Sequence, residues 1–118
     1  MNPIGADVLG EVRRWYWMRI SSMVLAVCVV VHVVTIIYAV RGGLSAAEIL
    51  GRTHGSWLIG AFYGVFVIAC AVHVPLGLAA VAREWFLVTE RTAVTAAQVI
   101  GLGILALGLR AVYGVVAG

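Results

Sequence analysis

The sequence predicts an all-α integral membrane fold: three transmembrane helices in up-down-up order, in one domain that comprises residues 1–118. Apolar residues make up 64% of the chain and charged residues only 11%, against roughly a quarter charged in an ordinary soluble domain. The charged residues also leave three long gaps, of 21, 30 and 18 residues, at 20–40, 53–82 and 92–109. A helix needs about 20 predominantly apolar residues to cross a hydrocarbon core of about 30 Å. Each gap therefore fits one membrane span.

The first helix is predicted over about residues 17–40. The aromatic run Trp15-Tyr16-Trp17 stands at its start, and such amphipathic rings are enriched where a helix meets the membrane–water interface. Arg41-Gly42-Gly43 follows the apolar stretch and is expected to end the helix. The first 12 residues contain two acids and no basic cluster, so we do not expect a cleaved signal peptide there.

A short amphipathic segment is predicted from Leu44 to Arg52, before the second span. Ser45 is its expected N-cap, and Glu48, three residues later, is the expected partner in a capping box. The second helix is predicted over about residues 55–85, which is longer than one bilayer thickness and therefore predicts tilt or protrusion. Pro75 lies inside it and is expected to kink it, because proline lacks a backbone donor.

The third helix is predicted over about residues 92–116, with Thr92 as its cap. Small residues indicate where helices can approach closely. They occur as a GxxxG from Gly60 to Gly64 and along one face of the third helix, at Ala97, Gly101 and Gly108. Ordinary helix packing explains most of these small residues.

The distribution of arginine predicts a cytoplasmic N-terminus. The chain has eight basic residues, all arginine, and five acids. Five arginines fall on the side of the N-terminus and three on the other, which favours this orientation under the positive-inside rule; they are Arg13, Arg14, Arg19, Arg83 and Arg91 against Arg41, Arg52 and Arg110. Because these charges form no single basic stripe, we expect no nucleic-acid partner.

Two histidines are predicted near the middle of the membrane. His32 follows Arg19 by 13 residues and His73 precedes Arg83 by ten, which is about 20 Å and about 15 Å along a helix. Because the two helices run antiparallel, both depths are measured from the same face, and the two histidines are expected within a few ångströms in height. His54 is expected at the opposite interface, where water can satisfy it.

Polar groups at membrane depth are costly and usually have a partner, and neutral imidazole is a common axial ligand of haem iron. The small residues Ala69, Cys70 and Gly77 lie one turn from His73 on its face, and leave room for a macrocycle edge. His32 has less open neighbours. A hydrogen bond to a neighbouring helix is the structural alternative for both histidines. A proton pathway would need acidic residues in the spans, and none is present there.

Two motifs carry a resemblance to a known family. Arg19-Ile20-Ser21-Ser22 opens the first helix and resembles R-[IV]-S-[GS], and the stretch from His73 to Leu78 resembles H-x-x-x-G-[ILV], with Arg83-Glu84 as a charged exit. These signatures are those of the cytochrome b membrane-anchor subunits of the succinate dehydrogenase and fumarate reductase family. The resemblance covers about residues 13–85.

The resemblance implies a haem b-binding anchor that passes electrons between an iron–sulfur subunit and ubiquinone or menaquinone. Its implied partners are that iron–sulfur subunit, a flavoprotein subunit and a second membrane-anchor subunit or a second copy of the chain, in one larger helical bundle. The implied location is a prokaryotic inner membrane. The chain would have no dicarboxylate chemistry of its own, and the complex would contain one or two haems.

The resemblance also assigns roles to residues. His73 is the implied haem ligand and Gly77 lies against the haem, while His32 would ligate a second haem in two-haem forms, each with an opposite histidine from a partner chain. Arg19 is implied to bind quinone or a haem propionate. Ser21 and Ser22 are implied to hydrogen-bond a quinone, and Trp15 occupies a position where many family members have serine.

Two alternatives remain open on the sequence alone. The first is the anchor of another quinone-linked dehydrogenase of the b-type cytochrome class, which shares the haem and the helices but has a different soluble partner. The second is a membrane interaction or assembly protein without redox function, in which the small residues only pack helices.

Overall fold

The computed structural model describes residues 3–118, and this range forms four α-helices and no strand. They are α1 (Pro3–Gly42), α2 (Ala46–Thr53), α3 (Trp57–Trp85) and α4 (Glu90–Val116). The helices α1, α3 and α4 are long and apolar enough to cross a membrane. The predicted all-α fold with three spans is therefore confirmed, and the chain is a multi-pass membrane protein with one additional short helix.

The start of α1 differs from the prediction. The helix begins at Pro3 rather than near residue 17, because proline is well tolerated in a first helical turn and no other proline follows in this segment. Glu11 and Arg13 are exposed, and the helix continues past its apolar part into this charged segment. Apolarity predicts where a helix crosses the membrane, and other signals set where it begins.

The predicted capping box at the start of α2 is confirmed. The backbone N–H of Glu48 donates to the hydroxyl of Ser45 at 3.2 Å, and the Glu48 carboxylate accepts from the backbone N–H of Ser45 at 2.9 Å. Hydrogen bonds from the side chain and the backbone of Ser45 hold the pKa of the Glu48 carboxyl below its usual range. The stability that the ionised Glu48 carboxylate gives the folded state is therefore present at neutral pH, and it is lost as the pH falls through that lowered pKa.

Gly43, in the turn before α2, is a position where we predict that any side chain is harmful. Its φ is +111°, and a Cβ there would overlap the Glu48 carboxylate. Replacement of Gly43 by alanine is expected to break the capping box and to destabilise the α1–α2 turn by about 1–3 kcal/mol. Hydrogen exchange across Ala46–Thr53 measures this loss. Gly51→Ala, in open space within α2, is the control and is expected to leave the exchange unchanged or slower.

The helix α3 packs against both α1 and α4. The interface with α4 is built from small residues: Ala93, Ala97 and Gly101 of α4 are buried, and a Cβ on Gly108 would come within 2.6 Å of Val67. The predicted contact face of the third helix is therefore confirmed.

The two glycines of the GxxxG differ. Gly60 lies against Val116, whereas a Cβ on Gly64 would meet open space. Gly60 therefore packs on α4, and Gly64 makes no comparably close contact in the described chain.

Pro75 packs against Gly101 of α4. The helix α3 runs unbroken through this residue, and the ring lies where Gly101 has no side chain. Because Pro75 has no N–H, the carbonyl of Ala71 loses its helical donor, and this carbonyl faces Gly101. The glycine thus admits both the ring and the free carbonyl.

Polar contacts fix both ends of the bundle. At the α2 end, the Thr53 hydroxyl donates to the carbonyl of Val115 at 2.6 Å, and the N–H of Gly55 donates to the carbonyl of Val116 at 2.7 Å. At the opposite end, which we call the Glu90 end, this carboxylate lies 3.5 Å from Arg14 and 3.2 Å from Arg83.

The cap of α4 is a further correction. The N-cap is Thr89, and its hydroxyl accepts from the N–H of Thr92. Thr92 was predicted as the cap because it follows the last charged pair. The helix instead begins with Glu90, since an acidic residue in the first turn is favoured by the helix dipole.

Candidate functional site

His73 of α3 lies against the two serines that open the apolar part of α1. Its Nδ1 is 3.2 Å from the Ser21 hydroxyl and 3.4 Å from the Ser22 hydroxyl. Ser21 is only 4% exposed. Residues separated by about fifty positions in the sequence thus meet, because α1 and α3 run antiparallel. Three of the residues singled out from the sequence form one cluster.

The hydrogen bonds around this cluster are compatible with a His73 tautomer that has its hydrogen on Nδ1. Ser21 donates its hydroxyl hydrogen to the carbonyl of Met18 at 3.1 Å, and Ser22 donates to the same carbonyl at 2.7 Å. Each hydroxyl has one hydrogen, so while both hydroxyls donate to Met18, both serine oxygens can accept from a hydrogen on Nδ1 of His73. In this arrangement the lone pair of the neutral imidazole lies on Nε2; in the other tautomer a serine hydroxyl donates to Nδ1. In histidines that ligate metals, the ring nitrogen that does not bind the metal usually donates its hydrogen to a nearby acceptor, as Nδ1–H does in this arrangement.

A groove of about 410 Å³ lies beside the cluster, on the side of the Glu90 end. Arginines, an aromatic ring and a serine line it together with apolar side chains; the polar and aromatic members are Arg14, Trp15, Arg19, Ser22 and Arg83. Ser22 belongs both to the groove and to the contact with His73. The structure therefore brings Trp15, Arg19 and Ser22 together next to His73.

The groove is electropositive. Arg14 and Arg83 share the one carboxylate of Glu90, and the guanidinium of Arg19 lies 5.6 Å from the centre of the Trp15 ring. Guanidinium groups bind carboxylates and donate to carbonyl oxygens. The groove can therefore bind an apolar molecule that carries a carbonyl or an acid group. Arg14 was counted only for orientation in the sequence. It lies about 140° around α1 from Arg19, so helical spacing gave no signal for its place in the groove.

Gly77 lies one turn after His73, beside α1. A Cβ on Gly77 would come 3.4 Å from the terminal methyl group of Met18, which is an ordinary contact. Met18 is also the residue whose carbonyl accepts from both serines. Gly77 is thus part of the same α1–α3 interface, and the space beside it is large enough for a methyl group.

His32 belongs to a different site. Its Nδ1 lies 3.0 Å from the hydroxyl of Tyr63, and its ring packs edge-on against Tyr63 and Phe66. It lines a second, largely apolar groove of about 770 Å³ towards the α2 end. Tyr63 was not singled out in the sequence, where only its position in the GxxxG segment was noted.

The expected match in height between His32 and His73 is wrong. His73 lies level with Ser21, and His32 follows Ser21 by 11 residues, which is about 16 Å along α1. The expectation assumed that Arg19 and Arg83 mark one level. Arg19 precedes Ser21 by only two residues, whereas Arg83 follows His73 by ten, so Arg19 lies about 12 Å deeper than Arg83. This offset depends on how α1 packs against α3, and the sequence alone does not give it.

The donor set fits one axial position of a haem. The Nδ1 of His73 is occupied by the serine contacts, so Nε2 is the nitrogen that could bind iron. Within residues 3–118 there is no group of three or more His, Cys, Asp or Glu that would hold a metal ion by itself. His32 lies too far along α1 to share an iron with His73, and His54 is exposed between α2 and α3. A second axial ligand would have to come from outside this chain.

The fold and this site define a three-span α-helical membrane protein with a histidine–serine cluster beside an arginine-lined groove. Comparisons with protein-family models, with curated proteins and with solved structures find no match to the chain.

Proposed function

We propose that the chain is a haem b-binding membrane-anchor subunit of a succinate:quinone oxidoreductase or fumarate reductase. In this role it passes electrons between an iron–sulfur subunit and a membrane quinone. The proposal rests on the motifs at Arg19–Ser22 and at His73–Leu78. One contact supports it furthest: the hydroxyls of Ser21 and Ser22 lie 3.2 Å and 3.4 Å from Nδ1 of His73, which leaves Nε2 as the ring nitrogen for iron.

The residues of the cluster have distinct tasks in this proposal. Ser21 and Ser22 orient the imidazole and fix its tautomer, since they accept from Nδ1–H. His73 then presents Nε2 as an axial ligand, and the bound haem supplies one-electron redox chemistry in a site of low polarity. Gly77 has no side chain and so leaves room beside His73 for the edge of the haem.

The arginine-lined groove is the proposed quinone or propionate site. Arg19 donates to a quinone carbonyl or pairs with a propionate, and Arg14 and Arg83 add positive charge nearer the Glu90 end. Trp15 offers its ring face for stacking. The apolar side of the groove accepts the quinone ring.

The proposed setting is a prokaryotic inner membrane with the N-terminus in the cytoplasm. The Glu90 end then faces the cytoplasm, where the flavoprotein and iron–sulfur subunits would dock. The second axial histidine comes from a second anchor subunit or a second copy. His32, Tyr63 and their groove form a separate candidate site for a second haem, again with a ligand from a partner chain.

A visible spectrum tests the proposal. The protein is purified with its partners from its own membranes, and the dithionite-reduced spectrum is expected to show the α-band of haem b. Absence of this band contradicts the proposal and favours a protein that only packs helices. The subunits that co-purify separate a succinate-linked complex from another quinone-linked dehydrogenase, which would have a different soluble partner.

The serines provide a second prediction. The double variant S21A/S22A removes both acceptors of the His73 Nδ1–H, and we expect haem affinity to fall by about 10- to 100-fold, as for other partners that orient metal ligands. Haem retention during titration with a competing apo-haem protein measures this. Each single variant keeps one hydroxyl and is expected to lose less. Equal haem affinity in the double variant and the parent would contradict the assigned role.

A further inference from the structure

The groove beside His32 has the size and the lining of a ligand site. It measures about 770 Å³, and residues of α1, α2 and α3 form its walls. Sites for small molecules are typically concave, measure about 300–1,000 Å³ and combine apolar walls with a few polar groups. The walls here are largely apolar, with Ile36 from α1, Ile49 from α2 and Phe62 from α3. An apolar molecule can therefore be accommodated.

His32, Tyr63 and Thr35 form a chain of hydrogen bonds in the wall of this groove. Nδ1 of His32 lies 3.0 Å from the hydroxyl of Tyr63, and this hydroxyl lies 3.4 Å from that of Thr35. All three residues line the groove. Thr35 donates to the backbone carbonyl of His32 at 2.7 Å, so its oxygen can accept from Tyr63. Because Nδ1 belongs to the chain, Nε2 is the ring nitrogen that is left for a ligand.

The hydrogens of this chain have two arrangements. In the first, the Tyr63 hydroxyl donates to Nδ1, and a neutral His32 has its hydrogen on Nε2. In the second, Nδ1–H donates to the Tyr63 oxygen and Tyr63 donates to Thr35, which leaves a lone pair on Nε2. Each hydrogen within the chain has an acceptor in both arrangements. His32 can therefore offer a donor to a carbonyl oxygen or an acceptor to a hydroxyl group.

The charges around the groove favour an uncharged oxygen at His32. Within the described chain, Arg52 is the one charged residue of the lining, and its guanidinium donates to the carbonyl of Gly43 at 2.6 Å. The helix α1 ends at Gly42, ten residues or about 15 Å beyond His32. Arg52 is thus at the far end of the groove. An anionic oxygen on His32 would have no cation of the described chain beside it.

The surroundings of His32 are less open than those of His73. The His32 ring packs edge-on against Tyr63 and Phe66, with ring centres 5.5 Å and 5.6 Å apart, and Ile36 lies one turn further along α1. A flat macrocycle has less room at such a wall than a single oxygen atom. A second haem would use the same Nε2, so the two occupants exclude each other.

We propose that this groove binds an apolar molecule through one uncharged oxygen, a carbonyl or a hydroxyl, which forms a hydrogen bond with Nε2 of His32. A membrane quinone, its quinol and an isoprenoid alcohol share this chemistry. Tyr63 and Thr35 are positioning residues, since they hold Nδ1 and accommodate the hydrogen on either nitrogen of His32. The proposal does not rest on haem ligation by His73.

Photolabelling of the protein, purified with its partners from its own membranes, tests the proposal. Three diazirine probes are compared: analogues of decylubiquinone, of farnesol and of the farnesol hydrocarbon without its hydroxyl. Mass spectrometry locates the labelled residues, which separates this groove from the arginine-lined one. We expect the quinone probe, the alcohol probe or both to label this groove, and the hydrocarbon to label it about fivefold less or weaker.

The probe that labels the groove identifies the source of the oxygen. Labelling by the quinone probe indicates a membrane quinone, and labelling by the farnesol probe alone indicates an isoprenoid alcohol. Equal labelling by the hydrocarbon shows that the oxygen is not recognised and overturns the proposal. Absence of label in the groove from both oxygen-bearing probes overturns it as well.

Two tyrosine variants test the hydrogen-bond chain. Y63F removes the hydroxyl next to Nδ1 and keeps the ring, and we expect the half-saturating probe concentration to rise by about 5- to 10-fold. Y38F is the matched control, because Tyr38 also lines the groove but is not part of the chain, and it is expected to bind as the parent does. An unchanged value in Y63F, or an equal rise in both variants, contradicts the assignment.

Replacement of His32 separates this ligand from a second haem. H32L is expected to lose the label and to keep the haem content of the parent, whereas H32Q, which retains a donor and an acceptor, is expected to keep part of the label. Loss of haem in H32L overturns the proposal, since iron then occupies Nε2. Where H32L does not accumulate, the three probes on the parent and Y63F decide. If the parent shows no haem α-band, the proposed function fails, and the labelling still decides on this groove.

Discussion

Replacement of His73 by alanine is expected to abolish the reduced haem b α-band associated with this chain. The variant removes the Nε2 that we assign as the axial ligand, and a methyl group cannot ligate iron. The serines that contact Nδ1 then hydrogen-bond to water or to the α1 backbone. We therefore expect α1 and α3 to stay packed against each other. The measurement is the haem-to-polypeptide ratio, with helix content by circular dichroism as the check that the chain is folded.

Two other histidine variants make this result specific. His54→Ala changes an exposed residue between α2 and α3 and is the matched control, for which we expect full haem content. His32→Ala separates two possibilities, since loss of half of the haem indicates a second site beside Tyr63 and full retention indicates one haem. A folded His73→Ala protein with an unchanged band would show that the ligand is elsewhere.

Gly101→Ala is expected to lower the stability of the packed helices α3 and α4. A Cβ at this position would overlap the ring of Pro75 and would lie 3.3 Å from the free carbonyl of Ala71. The two helices must move apart, and overpacking of this kind costs about 1–3 kcal/mol. Thermal unfolding in lipid nanodiscs measures the change, and a lowered midpoint is expected.

Gly64→Ala is the matched control for this effect. It adds the same methyl group to a membrane helix, but into open space. We expect its unfolding midpoint to equal or exceed that of the parent, because alanine is the better helix former. Equal destabilisation by Gly101→Ala and Gly64→Ala would show that the close approach of α3 and α4 does not determine stability.

The sequence predicts the architecture well because the membrane leaves few choices. Long uncharged stretches must be helical when backbone groups have no water to bind, and the capping box at Ser45 and Glu48 is a local signal that can be read without tertiary information. The small face of the third helix follows from helical periodicity in the same way. In each case the pattern involves residues within one or two turns.

Heights across helices could not be predicted in this way. The offset between Arg19 and Arg83 depends on how far α1 extends beyond the end of α3, and charge-free length does not encode that extension. The error placed His32 level with His73. Only packing contacts fix these levels.

The roles of the hydroxyl groups were also only partly visible. Ser21 and Ser22 were singled out for a quinone, whereas the polar side chain that both of them contact on another helix is the imidazole of His73. Tyr63, the neighbour of His32, was missed as a partner because its motif was read for its glycines. A single sequence does not show which of its polar residues meet across helices. The packing of the helices decides this.

A density map of the intact assembly, purified from its own membranes, tests the central claim most directly. We predict an iron porphyrin with its metal at bonding distance from Nε2 of His73, while Nδ1 stays within hydrogen-bond distance of Ser21 or Ser22. The opposite axial ligand is predicted to be a histidine of another chain. A map in which the His73 ring packs only on side chains or lipid, with no porphyrin beside it, would contradict the account.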